Sequence, residues 1–284
     1  MPRLLLCTDL DRTLIPNGKE AESSGAREHF AALAERPEVT LVYVSGRHRE
    51  LLEAAIEEYS LPVPDYGIGD VGTTIYEIGE ARSWRHRADW ETNIARDWHG
   101  RERGDLEQAL TGIADLQLQE AGKQNAYKLS YYLPPDFERY RLAPEVESRL
   151  EALGVNARLV WSVDDATGNG LLDVLPWRAS KYHAIRALMR ALAFSTSESV
   201  FCGDSGNDIE VLSSAIPGVL VANSRPEVRA LAEHLARAEG HSGRLYVARG
   251  GFRGLNGNYA GGILEGIAHY YPHAIAWMGF ADEG

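Results

Sequence analysis

The sequence has few of the features that cross-link a chain or anchor it in a membrane. Its 284 residues include only two cysteines, Cys7 and Cys202, which excludes a disulfide framework and a zinc site built on cysteines. No run of about 18 apolar residues occurs, and the N-terminal segment has the pattern of neither a signal peptide nor a membrane span. We therefore expect a cytoplasmic protein that has no membrane partner.

Basic residues are also scarce. Lys and Arg number 29 against 41 Asp and Glu, so the formal net charge is −12. Such a charge repels phosphate backbones, and nucleic acid is therefore not expected to be a partner. Hydrophobic residues make up 44% and charged residues 25%. These are the proportions of a globular protein, and the length allows one large or two smaller domains.

The two outer thirds of the chain alternate between apolar strands and helical patterns. Residues 4–8 and 39–44 form continuous apolar runs, each followed by a helical pattern, and the same rhythm returns between 180 and 270. This alternation is typical of a parallel sheet covered on both faces. Residues 84–171 are richer in Trp, Arg, Glu and Gln, and their strand patterns alternate between apolar and polar residues.

The sequence therefore predicts an α/β fold with two domains. A Rossmann-like parallel-sheet core would consist of residues 1–83 and 172–284, and residues 84–171 would form an inserted α+β cap domain. The run Gly67–Gly72 matches the G-x-G-x-x-G pattern of dinucleotide sites, but a strand-like segment follows it instead of a helix. We interpret the run as a glycine-rich turn that leads into a hairpin.

Polar side chains follow three of the predicted core strands, at the points where the apolar runs stop. The carboxyl ends of strands are where open α/β sheets bind their ligands. Taken singly, these residues have ordinary explanations, such as a helix cap for Ser45 and a first-turn acid for Asp208. The residues at these strand ends are Asp9, Asp11, Ser45, Gly46, Asp204, Asn207 and Asp208. Lys181, which begins the predicted helix before the third strand, completes the set.

Together these residue types suit phosphoryl transfer through an aspartyl phosphate. Asp9 would attack phosphorus, and Asp11 would protonate the leaving oxygen and then activate water. Ser45, Gly46 and Lys181 would hold the phosphoryl oxygens. Mg²⁺, a hard cation that prefers oxygen ligands, would offset the charge of carboxylate and phosphate.

These motifs, in this order, resemble the four signatures of the haloacid dehalogenase superfamily. They are the D-x-D-x-T run Asp9–Thr13, then Ser45 where that family commonly has threonine, Lys181, and the G-D-S-G-N-D run Gly203–Asp208. The resemblance implies that Asp9 is the nucleophile and Asp11 the acid/base. It also implies a magnesium site formed by Asp9, the backbone carbonyl of Asp11 and Asp204, with Asn207 and Asp208 as supporting residues.

The long insert is similar to the cap of the sugar-phosphatase branch. Within that branch the chain as a whole most resembles the sucrose-6-phosphate phosphatases, over segments that span most of its length. The resemblance implies a small-molecule sugar phosphate as substrate, with the cap recognising the sugar. The loop 162–170 is longer than that family leads us to expect. The candidate sugar contacts are Lys128, Tyr131, Asn169 and Asp173.

Several alternatives remain open from the sequence. The same mechanism could serve mannosylfructose phosphate, a glycosyl-glycerate phosphate or a hexose phosphate instead of sucrose 6-phosphate. A phosphomutase would use a related cap. A non-catalytic sugar-phosphate binding module is a different class, but such a module has no need to keep Asp9, Asp11, Lys181 and Asp204 together.

Overall fold

The computed structural model describes residues 2–164 and 167–281. Three parts of the chain lie outside this description: residue 1, residues 165–166 of the loop 162–170, and residues 282–284. The strands are β1 (Leu4–Thr8), β2 (Val39–Val44), β3 (Tyr66–Gly69), β4 (Thr74–Ile78), β5 (Trp84–His86), β6 (Gln117–Leu118), β7 (Leu129–Leu133), β8 (Ala157–Val163), β9 (Gly170–Pro176), β10 (Ser199–Gly203), β11 (Gly218–Leu220) and β12 (Leu245–Val247).

Nine α-helices of the described residues lie between or after these strands along the chain. They are α1 (Ala26–Ala34), α2 (Arg49–Glu58), α3 (Ala88–Ala95), α4 (Arg103–Leu110), α5 (Arg139–Leu153), α6 (Lys181–Ala191), α7 (Ile209–Leu212), α8 (Pro226–Ala238) and α9 (Tyr259–Tyr270). In the part of the chain that the structure describes, no helix combines the length and the apolarity that crossing a membrane requires.

The core is an eight-stranded sheet in the order β12-β11-β10-β1-β2-β3-β4-β5. The strands from β12 to β3 run parallel, and β4 and β5 add an antiparallel edge. Every residue of β1 is buried, because one face of the sheet packs on α1, α2 and α9 and the other on α3, α6, α7 and α8. The predicted α/β fold is confirmed.

The glycine-rich run Gly67–Gly72 consists of the end of β3 and the turn after it, and no helix of a dinucleotide site follows. Tyr66 pairs antiparallel with Glu77, so β3 and β4 form the expected hairpin. The turn has positive φ angles at Asp70, Val71 and Gly72. A Cβ on Gly72 would lie 2.4 Å from the carbonyl carbon of Ser180, so glycine is needed where this turn meets the start of α6.

The second sheet is antiparallel, in the order β6-β7-β9-β8, and forms the cap. Side chains on one of its faces, such as Leu129 and Leu172, pack against apolar residues of α4 and α5, including Leu106 and Leu142. Alternate residues such as Ser130 and Asp173 lie on the other face, opposite each other across β7 and β9. This is the alternation that the sequence shows between residues 126 and 133.

The strand pairing differs from the boundaries expected at residues 84 and 171. Trp84–His86 pairs with β4 in the large sheet, and Trp90 and Ile94 of α3 pack in the core beneath it. Gly170–Pro176 pairs along its whole length with cap strands. We propose that the insert runs from about residue 97 to residue 176. The amino-acid composition changes at residues 84 and 171, whereas the change between core packing and cap packing comes later in the chain at both boundaries.

Candidate active site

Three neighbouring strands bring distant polar residues to one edge of the large sheet. Thr8 at the end of β1 pairs with Cys202 of β10 on one side and with Tyr43 of β2 on the other. The residues that follow these strands, Asp9 and Asp204 among them, therefore enter the same crevice. The Asp9 backbone N–H donates to the carbonyl of Cys202 at 2.9 Å, which joins the start of the loop after β1 to the end of β10.

Lys181 lies at the centre of this crevice. It is the first residue of α6, where Ser180 is the N-cap, and it is only 2% exposed. Its Nζ lies 3.0 Å from Asp9 Oδ2 and donates to Asp208 Oδ1 at 2.7 Å. Burial alone would lower the pKa of Lys181, but the charges of Asp208 and Asp9 raise the pKa overall, so the ammonium stays charged.

Three buried carboxylates surround this lysine. Oxygens of Asp9, Asp204 and Asp208 lie within 4.8 Å of one another. Burial, reinforced by the neighbouring acids and opposed by Lys181, raises the pKa of Asp9 well above its usual value. Burial and the charge of Asp208 raise the pKa of Asp204 to about 7. Arg12 Nε also lies 3.3 Å from Asp204 Oδ2, so two cations face the three acids. The remaining negative charge would fit a divalent cation with oxygen ligands.

Asp208 also organises the loop that carries Asp204. Its Oδ2 accepts the backbone N–H groups of Asp204 at 3.1 Å and Ser205 at 3.0 Å. A Cβ on Gly203 would lie 2.6 Å from the Asp208 carboxyl group, so the close approach of that side chain requires glycine. The Asn207 side chain accepts the Ser205 hydroxyl at 2.8 Å and lies on the exposed side of the same loop.

The side chain of Asp11 lies outside the group of three carboxylates. It accepts hydrogen bonds from Arg47 Nε at 2.9 Å and Arg47 Nη2 at 2.6 Å, and a third from Asn17 at 2.7 Å. Burial raises the pKa of Asp11, but the hydrogen bonds and charge of Arg47 outweigh it, so that the pKa falls below its usual value. In this arrangement Asp11 is ionised.

Ser45 and Gly46 lie where β2 ends, as expected. The Ser45 side chain is buried, and its hydroxyl oxygen accepts the backbone N–H of Arg47 at 3.2 Å. Gly46, which lies between Ser45 and Arg47 in the sequence, is exposed. The exposed position of Gly46 leaves its backbone accessible to a ligand in the crevice.

A cavity of about 490 Å³ opens between this crevice and the cap. Lys181, Asp204 and Asn207 line it from the core, and the strand β8 lines it from the cap. Ion pairs between described residues join cap and core. Arg158 binds Glu210 through contacts of 2.7 and 3.1 Å, and Lys128 Nζ lies 3.5 Å from Asp70 Oδ1. The cavity is large enough for a small organic ligand.

The four candidate sugar contacts are dispersed over the cap. Lys128 is buried against Asp70 at the contact with the core, and Asp173 accepts the Ser130 hydroxyl on the same face of the cap sheet. Tyr131 packs in the cap core, and Asn169 lies in the connection between β8 and β9. Among the described residues that line the 490 Å³ cavity, none of these four occurs. Their role in sugar binding stays a prediction.

Four charged residues that the sequence does not single out lie at the site in the structure. They are Arg12, Arg47, Asp70 and Arg158. Arg47 and Asp70 follow β2 and β3, so the rule that ligands bind at strand ends would have found both. Arg12 lies inside the D-x-D-x-T run and donates to Asp204 at 3.3 Å. No local signal marks Arg158, because its partner belongs to the other domain.

The fold and the site are those of a haloacid dehalogenase-like hydrolase. The sequence profile of the sucrose-6F-phosphate phosphohydrolase family matches residues 2–271. The sucrose-phosphatase of Synechocystis, solved in complex with sucrose and phosphate, matches with a TM-score of 0.73 and 28% identity, over 95% of this chain and 98% of that one. A haloacid dehalogenase-like hydrolase of Bacillus subtilis, with a TM-score of 0.64, 16% identity and coverage of 94% and 92%, shares the fold.

Two curated relatives agree with this. A protein of Nitrosococcus oceani, described only as a HAD-like hydrolase, is 52% identical over 97% of this chain and 74% of its own length. The mannosylfructose-phosphate phosphatase of Agrobacterium fabrum is 32% identical over 95% of this chain and 97% of its own. The chain belongs to the sucrose-6F-phosphate phosphohydrolase family. It is a phosphoric monoester hydrolase that acts on a sugar phosphate.

Proposed function

We propose that the protein hydrolyses sucrose 6-phosphate to sucrose and inorganic phosphate, with Mg²⁺ as cofactor. The observation that carries the proposal is the contact of 3.0 Å between Lys181 Nζ and Asp9 Oδ2, at the end of a central strand and beside a cavity that the cap closes. A buried lysine of this kind can hold a phosphoryl oxygen while the carboxylate attacks phosphorus.

The proposed reaction has two steps. Asp9 Oδ attacks phosphorus, the bond from phosphorus to the sugar oxygen breaks, and that oxygen takes a proton from Asp11. For this step Asp11 has to leave Arg47 and be protonated when the substrate is bound, because in the structure described here it is ionised. Water then attacks the aspartyl phosphate and gives its proton to Asp11, which releases phosphate and restores Asp9. Asp9, Asp204 and the backbone carbonyl of Asp11 would hold Mg²⁺, which supplies positive charge opposite the phosphoryl oxygens.

The Asp11→Asn variant is expected to lose about 100- to 10,000-fold in turnover, the usual range for removal of a general acid/base. An amide can neither protonate the sugar oxygen nor accept a proton from water. Steady-state release of phosphate measures the loss. Asn17→Ala is the control, since it removes one hydrogen bond to Asp11 and keeps the carboxyl group. Turnover like that of the unmodified enzyme in Asp11→Asn would remove the acid/base assignment.

Mg²⁺ is expected to raise the melting temperature more at about pH 8 than at about pH 5.5. The pKa of Asp204 is raised to about 7, and that of Asp9 is also raised, so the folded metal-free protein holds protons that the unfolded chain loses near pH 4. The stability of the metal-free protein therefore falls as pH rises from about 4 to about 7. Above about pH 7 the carboxylates are ionised, and a cation can bind them.

Thermal unfolding with and without Mg²⁺ at both pH values checks this expectation. The Asp204→Asn variant is the control, because it should respond much less to Mg²⁺ at the higher pH. An equal response of the variant and the unmodified protein would place the ion elsewhere. Chelation should abolish phosphate release, and added Mg²⁺ should restore it.

A second candidate substrate is mannosylfructose phosphate. The observation that favours it is the 32% identity to the mannosylfructose-phosphate phosphatase of Agrobacterium fabrum, against 28% to the sucrose-phosphatase of Synechocystis. Both substrates are phosphates of disaccharides that contain fructose, so the two candidates share a chemical class. They differ in the glycosyl unit, which the cap would recognise.

A panel of phosphorylated sugars tests the proposal through kcat/KM for phosphate release. The panel contains sucrose 6-phosphate, mannosylfructose phosphate, a glycosyl-glycerate phosphate and two hexose phosphates. The highest value is expected for sucrose 6-phosphate. Equal values for simple hexose phosphates would contradict the disaccharide assignment, and conversion of a hexose 1-phosphate without release of phosphate would indicate a mutase.

A further inference from the structure

The core domain has a second cavity, at the end of α6 that lies away from Lys181. It has a volume of about 300 Å³ and lies between α3 and the last turn of α6. Buried apolar side chains, Trp90 and Leu188 among them, line part of it. The 11 residues of α6 separate the two ends by about 15 Å, so this cavity is distinct from the active site.

Three arginines line this cavity, although the chain carries a net charge of −12. Arg87 is paired with Asp89 through contacts of 2.7 and 3.1 Å, and Asp89 also lines the cavity. No hydrogen bond or ion pair joins the side chains of Arg96 and Arg190 to another residue within 2–164 or 167–281. The cavity therefore has an excess of positive charge that the described protein does not neutralise.

Helix electrostatics explain only part of this arrangement. Arg96 follows the last residue of α3, and Arg190 lies in the last turn of α6, where a cation is favourable beside the helix carbonyl groups. That effect accounts for each arginine on its own helix. It does not account for two helix ends that meet at one cavity with a single acid, Asp89, which Arg87 already holds.

We propose that this cavity binds a small oxyanion of the phosphate class, either inorganic phosphate or the phosphate group of a small organic phosphate. A guanidinium group presents paired N–H donors that match two oxygens of a phosphate. The amide of Asn93, which also lines the cavity, can add a further donor. Trp90 and Leu188 provide an apolar wall for a short carbon chain.

The test removes the two unpaired arginines together, as R96Q/R190Q. Isothermal titration calorimetry with inorganic phosphate, in the absence of Mg²⁺, should show one phosphate fewer per chain in this variant than in the unmodified protein. Titration with glycerol 3-phosphate distinguishes the two sources of the oxyanion, since the compound that binds this cavity more tightly identifies the ligand. At a minimum, the Kd at this cavity should rise about tenfold.

The control is R186Q/R237Q, which removes the same charge from two arginines that are exposed like Arg96 and Arg190 but lie outside the cavity. This variant should bind phosphate like the unmodified protein. Equal stoichiometry and equal Kd for R96Q/R190Q and the unmodified protein would overturn the proposal. Thermal unfolding verifies that each variant is folded. Because the binding measurement needs no turnover, its result is independent of the substrate proposed above, and kcat/KM should be unchanged in both variants.

Discussion

The Asp9→Asn variant is expected to release phosphate at least about 1,000-fold more slowly than the unmodified enzyme. The amide has no anionic oxygen to attack phosphorus, so the aspartyl phosphate cannot form. Lys181 keeps its contact with Asp208 in this variant, and the crevice therefore keeps a cation for the phosphoryl group. Substrate binding should survive while turnover is lost.

The measurement is phosphate release with the best sugar phosphate of the panel, together with equilibrium binding of that substrate. Asp136→Asn is a matched control, because it makes the same chemical change at an exposed position of the cap. Turnover retained by Asp9→Asn would show that Asp9 is not the nucleophile. A non-catalytic binding module would show no turnover in either protein and equal binding in both.

The Lys181→Met variant is expected to lose both activity and stability. Methionine fills much of the volume of the lysine stem but leaves Asp9 and Asp208 buried without their cation. Removing one partner of a buried ion pair costs about 3–5 kcal/mol. The loss should be smaller at acidic pH, where the carboxyl groups of the variant take up protons and become neutral.

Urea unfolding of metal-free protein at two pH values measures the stability of this variant. Lys19→Met, at an exposed position, is the control and should change stability by less than about 0.5 kcal/mol. Turnover of Lys181→Met should fall severely even where the variant remains folded, since no other cation among residues 2–164 and 167–281 contacts both Asp9 and Asp208. An unaltered free energy of unfolding would show that Lys181 does not neutralise the acids.

Local patterns were sufficient to predict the strands that support the site. The apolar run before Asp9 must be a buried strand, and the residue after it must lie at the end of that strand. The same reasoning located Ser45 and Asp204, since each follows an apolar run of its own.

Pairings between distant segments could not be predicted in this way. Asp11 and Arg47 are 36 residues apart, and only the packing of β1 against β2 brings the guanidinium to the carboxylate. The strand β9 has the apolar residues expected of the core, but its hydrogen bonds lie in the cap sheet. An apolar sequence specifies that a strand is buried, without specifying which sheet buries it.

By itself the sequence determined the chemical groups of the site and the positions along the chain of the strands that carry them, because both depend on neighbouring residues. The tertiary structure alone decided that Asp208 shares Lys181 with Asp9, that Asp11 is held by Arg47, and that β9 pairs with β7 and β8. The physical reason is that ion pairs and sheet membership depend on distances in space, which packing sets between segments far apart along the chain.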